Sequence, residues 1–109
     1  ERIITLSSNL STVGDGSTSM YGKWHIGQNG ANKTLYFNGY MADIYYIEGQ
    51  VLDPNSFGTY REGVWIPKQY GSGDSANAQT EYGTNGFHLD FSDADDLGKD
   101  VSEKNNHWT

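Results

Sequence analysis

The sequence contains no cysteine and only two prolines, and it is short of both aliphatic residues and positive charge. Without cysteine there are no disulfides and no thiolate metal sites, although this fixes no compartment. Val, Ile, Leu and Phe supply 20 of the 109 residues, a share that in a highly charged chain indicates disorder. Seven Lys and Arg stand against fourteen Asp and Glu, giving a net charge of −7. Nucleic-acid affinity rests on clustered positive charge, so no nucleic-acid partner is expected. No run approaches the roughly 18 consecutive apolar residues of a membrane span, so no membrane insertion is expected. The opening Glu1-Arg2-Ile3-Ile4-Thr5-Leu6 lacks the basic start and apolar stretch of a signal peptide. A start on Glu1 rather than methionine, and an end at His107-Trp108-Thr109, read as processing or as part of a longer protein.

What the chain does have is rings. Eight Tyr, three Trp and four Phe each bury roughly 150–250 Å², which is enough to build an aromatic core in one small folded domain. No segment shows sustained 3.6-residue periodicity, while β-branched and aromatic clusters recur between Gly, Asn, Ser and Asp. The expectation is therefore strands and turns with almost no helix. Strands are expected at Arg2–Leu6, Met20–Ile26 and Lys33–Asn38, the last two joined as a hairpin by the turn Gln28-Asn29-Gly30-Ala31-Asn32. Tyr40–Glu48 reads as the longest strand. Asp53 can then cap a short helical turn with Pro54 at its start, leaving Leu52 and Phe57 to plug one end of a core. Val64-Trp65-Ile66 is a short apolar run stopped by Pro67, and residues 68–84 read as a polar, glycine-marked loop. In Gly86-Phe87-His88-Leu89-Asp90-Phe91 the alternation puts Phe87, Leu89 and Phe91 on one face and His88 and Asp90 on the other.

The run Leu35-Tyr36-Phe37-Asn38-Gly39-Tyr40-Met41-Ala42-Asp43-Ile44-Tyr45-Tyr46-Ile47-Glu48-Gly49-Gln50-Val51-Leu52-Asp53-Pro54 resembles a segment of concanavalin A-like lectin/glucanase domains, the laminin-G-like jelly rolls. Gly39, Asp43, Ile44, Leu52 and Pro54 match the pattern there. Gly86–Phe91 followed by Leu97–Thr109 looks like the opening strand and the Asp-Ser-Ser-Gly-Asn-Gly-Asn loop of the same family, with Val101, Glu103 and Lys104 departing from it. From about Met20 onward the arrangement resembles lectin-like proteins encoded by bacteriophages. The resemblance implies an all-β, antiparallel β-sandwich of the concanavalin A-like jelly-roll type, incomplete here or completed by a neighbouring domain or subunit. Residues 1–67 would be the C-terminal part of a lectin-like sandwich and 68–85 a polar linker. Residues 86–109 would be the opening strand and loop of a following or the same sandwich.

Functional chemistry is thin by comparison. The glucanase Glu-x-Asp-x-x-Glu strand has no counterpart, and Glu48, Glu62, Glu81 and Glu103 stand alone. Ser never falls in Gly-x-Ser-x-Gly, and His25, His88 and His107 are scattered, so no enzyme activity is expected. Asp93-Ala94-Asp95-Asp96-Leu97-Gly98 starts like an EF-hand loop but fails at Leu97 and Lys104. Residues 81–104 hold seven acids against two lysines, which reads either as a cation site or as a solvated loop with capping aspartates. No cofactor is required. Calcium is common in the resembled superfamily, with Asp90, Asp93, Asp95 and Asp100 as candidates. Sugar binding is the family-level expectation, using aromatic platforms Trp24, Tyr45, Trp65 and Tyr70 beside Asn29 and Asn32, although in a core so poor in aliphatics most of these rings are expected to be packing. Asn9-Leu10-Ser11 and Asn32-Lys33-Thr34 are glycosylation sequons, a pattern frequent by chance.

Expected partners are other copies or neighbouring domains of a tail-fibre-like virion protein, and cell-surface glycan, with a virion or extracellular location. A carbohydrate-binding module of a secreted enzyme and a ligand-free scaffolding subunit of an extracellular filament are the rival readings.

Overall fold

The computed structural model describes residues 26–27 and 36–108. The expected strand Arg2–Leu6, most of the hairpin over 20–38, and the candidates Trp24, Asn29 and Asn32 lie outside the described residues. The chain divides into two units, 1–40 and 41–109. In the first, the Phe37 N–H donates to the Gly27 carbonyl at 2.7 Å, and Tyr36, Phe37 and Tyr40 are exposed.

The second unit holds four short strands and one helix. Strand β1 (Ile44–Tyr46) pairs antiparallel with β4 (Phe87–Leu89), in a register that sets Tyr45 opposite His88 and Tyr46 opposite Phe87. Strands β2 (Gly58–Arg61) and β3 (Val64–Pro67) form a second antiparallel pair. The fold is thus small and β-rich. Glu62 and Gly63, at φ 51° and 77°, make the two-residue hairpin turn whose backbone twist matches that of the flanking strands. Between β1 and β2, Pro54–Ser56 forms a 3-10 turn, with the Asp53 side chain accepting from the Asn55 N–H at 2.9 Å. The cap and the proline sit where the sequence places them.

Three expectations change. The strand read over 40–48 shrinks to Ile44–Tyr46, because Asp43 enters it with φ +52° and cannot continue a pleated ladder. Residues 68–85, read as polar loop, contain helix α1 (Ser75–Tyr82). Asp74 caps it by accepting from the Ala76 N–H, and Gly83, at φ 81°, ends it with its N–H on the Gln79 carbonyl. Finally, the Phe87–Phe91 alternation fails as a one-face pattern. Phe87, His88 and Leu89 are all buried, because Tyr45 covers His88 on one face while Tyr46 and Trp108 pack on Phe87 on the other, and the segment Asp100–Val101 bridges the free edge of β4. The Val101 N–H donates to the His88 carbonyl at 2.9 Å, and Phe91 leaves the strand at φ 56°.

The core is aromatic, as the composition requires. Tyr82, Phe87, Leu89 and Ala78 are its buried apolar members. Around them runs a chain of ring contacts: Phe57 on Tyr45 at 5.0 Å, Tyr70 on Phe57 at 5.2 Å, and Tyr82 on Tyr70 at 5.4 Å. A second chain links Tyr46, Phe87 and Trp108 at 5.6 and 5.1 Å. Such tilted, edge-on and stacked pairs add about 0.5–1.5 kcal/mol each beyond their buried area. Asp100 pins the last segment. Its carboxylate accepts from the N–H groups of His88, Ser102 and Asn106 at 2.9, 2.9 and 2.8 Å. Burial alone would push its carboxyl up, but the Ser102 side chain and these three backbone donors together hold it below the usual carboxylate range.

Candidate functional site

The pairing of β1 with β4 brings together two residues 45 positions apart. The His88 Nε2 lies 3.0 Å from Asp43 Oδ1. A carboxylate only accepts, so Nε2 carries the proton in this contact. Asp43 reaches that position through its left-handed backbone, a conformation aspartate tolerates better than most residues. The His88 ring is otherwise enclosed: its residue is 4% exposed, and it stacks on Tyr45 with centroids 3.9 Å apart and planes 17° from parallel. Its Nδ1 is shielded from solvent and has no hydrogen-bond partner among the described residues.

These residues line an open cleft of about 290 Å³, together with Pro67, Lys68, Gln69, Asp90 and Val101. The cleft thus sits at the lower limit of ligand-pocket size, roughly 300 Å³. Lys68 and Gln69 arrive from the end of β3, where the Lys68 N–H on the Phe57 carbonyl continues the hairpin pairing. Asp90 follows β4 directly and folds back on itself, accepting from the Ser92 N–H and hydroxyl at 3.0 and 2.9 Å. The Ser92 N–H is the main reason its carboxyl sits below the ordinary range, with the Ser92 hydroxyl and His88 assisting. The Tyr45 phenol is raised, first by burial and further by the charges of Asp43 and Asp90, although the Tyr70 N–H donates to it at 3.4 Å.

Of the aromatic candidates, Tyr45 lines this cleft. Tyr70 packs beside it, ring centroids 6.3 Å apart, but its hydroxyl is engaged, donating to the Glu81 carbonyl at 2.8 Å and accepting from Gln50 at 3.1 Å. Trp65 belongs to the other sheet, edge-on to Tyr60 at 5.0 Å. Among the acidic candidates, Asp93 accepts from the Asp95 N–H at 3.1 Å and pairs with Lys99 at 3.1 Å, and Lys99 is the chief cause of its lowered carboxyl pKa. Asp95 is exposed, and Asp100 is committed to three backbone donors. Among the described residues, no three His, Cys, Asp or Glu side chains converge as a metal site.

Asp43, His88, Lys68 and Gln69 were not singled out by composition or spacing as site residues. The one signal was a histidine within an alternating strand, a position that usually means packing. What the cleft can do is hydrogen-bond a polar ligand with two carboxylates, an ammonium and an amide beside the edge of a tyrosine. Comparison with protein-family models, curated proteins and solved structures gave no match.

Proposed function

We propose that this chain is a non-enzymatic structural and recognition module of a phage virion appendage. It binds a host-surface glycan in the cleft between Asp43, Lys68 and Asp90, and its concanavalin A-like sandwich is completed by neighbouring copies or domains. The observation that carries the binding part is the cleft itself. Carboxylates of Asp43 and Asp90, with Lys68 and Gln69, offer both acceptors and donors to a ring of hydroxyls beside Tyr45. The resemblance of residues 35–54 to lectin-like domains supports the same reading.

The assembly part is favoured by the β2–β3 hairpin. Tyr60, Val64 and Ile66 lie 62%, 63% and 40% exposed on a sheet of two strands. An isolated two-stranded sheet is marginal in water, and exposed apolar side chains on such a sheet mark a surface that packs against something. The same observation favours a second reading, a scaffolding unit that binds no ligand.

A glycan array probed with the purified chain, once with calcium and once with EDTA, tests the proposal. Binding in either buffer is the expected result, and loss in EDTA would make that binding calcium-dependent. Folded protein that binds no glycan in either buffer would overturn the recognition role and leave scaffolding.

A further inference from the structure

The cleft is unbalanced in what it offers a ligand, and the imbalance selects among sugars. His88 lines it with a side chain only 5% exposed, and His88 Nδ1 finds no donor among the described residues. The Nε2 contact is spent on Asp43, which leaves Nδ1 as the unpartnered nitrogen of the ring. Asp43 commits Oδ1 to His88, and no contact among the described residues occupies its Oδ2. Asp90 is turned onto Ser92 yet keeps lone pairs, since a carboxylate accepts about four hydrogen bonds. Against these acceptors the cleft sets the Lys68 ammonium, the Gln69 amide and the Tyr45 hydroxyl. Two carboxylates and one ammonium leave the lining net negative in a chain whose formal charge is −7.

A sugar bearing its own carboxylate would add a third anion to this lining. A neutral sugar satisfies the hydrogen bonds but leaves the excess charge as it stands. A sugar with a protonated amine does both: its ammonium faces Asp43 and Asp90, and its hydroxyls accept from Lys68 and Gln69. Resting on the glycan-binding role proposed above, we propose that this cleft selects amino sugars with a free, protonated amine over N-acetylated and acidic ones.

The test is a nuclear magnetic resonance titration of the 109-residue chain, following the His88 and Tyr45 ring resonances. The probes are a fully deacetylated chitosan oligomer, the fully N-acetylated oligomer of the same length, an oligogalacturonate, and spermine. The deacetylated oligomer is expected to bind at least about tenfold more tightly than the acetylated one, with shifts centred on His88 and Tyr45. Raising salt should shrink that preference, because exposed charge pairs are screened within roughly 10 Å at 0.1 M. Asp43→Asn and Asp90→Asn should bring the two oligomers to near-equal, weak affinity. Should either variant fail to fold, the salt dependence of the unsubstituted chain decides alone.

Equal affinity for both oligomers with His88 shifts would overturn the charge selection while leaving the glycan site in place. Shifts confined elsewhere, or no binding of any oligosaccharide, would overturn the site itself. Spermine binding as tightly as the deacetylated oligomer would overturn the sugar assignment and leave a bare ammonium site.

Discussion

Tyr45 and His88 face each other across the β1–β4 ladder, and their rings stack at 3.9 Å. The contact joins the aromatic core to the cleft, since Tyr45 also packs on Phe57 and Tyr70. The two residues should nevertheless respond differently to truncation. Tyr45→Leu removes three ring contacts and should lower stability by about 1–3 kcal/mol. His88→Leu also deletes the unpartnered Nδ1, and the Asp43 it abandons is open enough to solvent to hydrate. The variant loses one stack and one hydrogen bond to a carboxylate that water can reach, offset by removal of a buried unsatisfied atom, so His88→Leu should stay within about 1 kcal/mol of the parent. Urea unfolding of both variants checks the contrast. A larger loss for His88→Leu than for Tyr45→Leu would mean that the Asp43 hydrogen bond, not the stack, holds β1 to β4.

Asp100 predicts the response to acid. Its carboxyl is depressed in the folded chain, so its contribution is fully present above the unfolded value of about 3.9 and is lost as pH falls through the lower folded value. Asp90, Asp93 and Glu48 shift in the same direction, so stability should decline below about pH 4. Asp100→Asn should cost about 2–3 kcal/mol at neutral pH, because an amide N–H₂ then meets a backbone N–H that wants an acceptor. The same variant should show a flatter acid slope. Thermal melts between neutral pH and pH 3 measure both. An unchanged slope would assign the acid response to the exposed carboxylates.

These two relationships also show where single-sequence reading stops. The Asp53–Pro54 cap, the apolar run at Val64–Pro67 and the strand at Phe87–Leu89 are local, and each is visible in a few adjacent residues. Helix α1 escaped because only Ala78 and Tyr82 are buried, too little for a 3.6-residue stripe, although its Asp74 cap and Gly83 stop stand in plain view. The hairpin escaped because Glu-Gly is a weaker turn signal than Asn-Gly or Asp-Gly. The Asp43–His88 contact depends on pairing between distant strands, and no local pattern states which strands pair. Tyr45 was legible as a site residue only because every ring in so aromatic a chain was a candidate.

Two of the three Asn-Gly sequences, Asn38-Gly39 and Asn85-Gly86, should age at different rates. Cyclisation needs the glycine N–H to swing onto the asparagine side chain, which Gly permits because no Cβ obstructs it. The Asn85 N–H and side-chain amide are both clamped by Glu48, at 3.0 and 2.9 Å, and Gly86 is buried. Asn38 and Gly39 are exposed, and no such clamp holds Asn38 among the described residues. At alkaline pH, peptide mapping by mass spectrometry should find Asn38 deamidated well before Asn85. Glu48→Ala should bring Asn85 toward the rate of Asn38. Equal rates in the parent would mean that the Glu48 clamp opens on the timescale of the chemistry.

Alanine at two glycines should separate backbone strain from steric overlap. At Gly63 a Cβ would meet nothing within 4 Å, but the residue sits at φ +77° in the hairpin turn. Gly63→Ala should therefore cost about 1 kcal/mol, the penalty of left-handed backbone for a residue with a side chain. At Gly86 a Cβ would overlap the carbonyl of Tyr82, which is backbone at the end of α1 and cannot swing aside as a side chain could. Gly86→Ala must push α1 away from β4, and it should cost more, about 2–3 kcal/mol. Denaturant midpoints rank the two, and hydrogen exchange locates the damage. Faster exchange in Gly86→Ala should appear at the amides of Glu48 and Gly83, which depend on the carbonyls of Tyr82 and Gln79. In Gly63→Ala it should stay within β2 and β3. If both variants loosened the same amides, the hairpin and the helix would unfold as one cooperative unit rather than as separate parts of the domain.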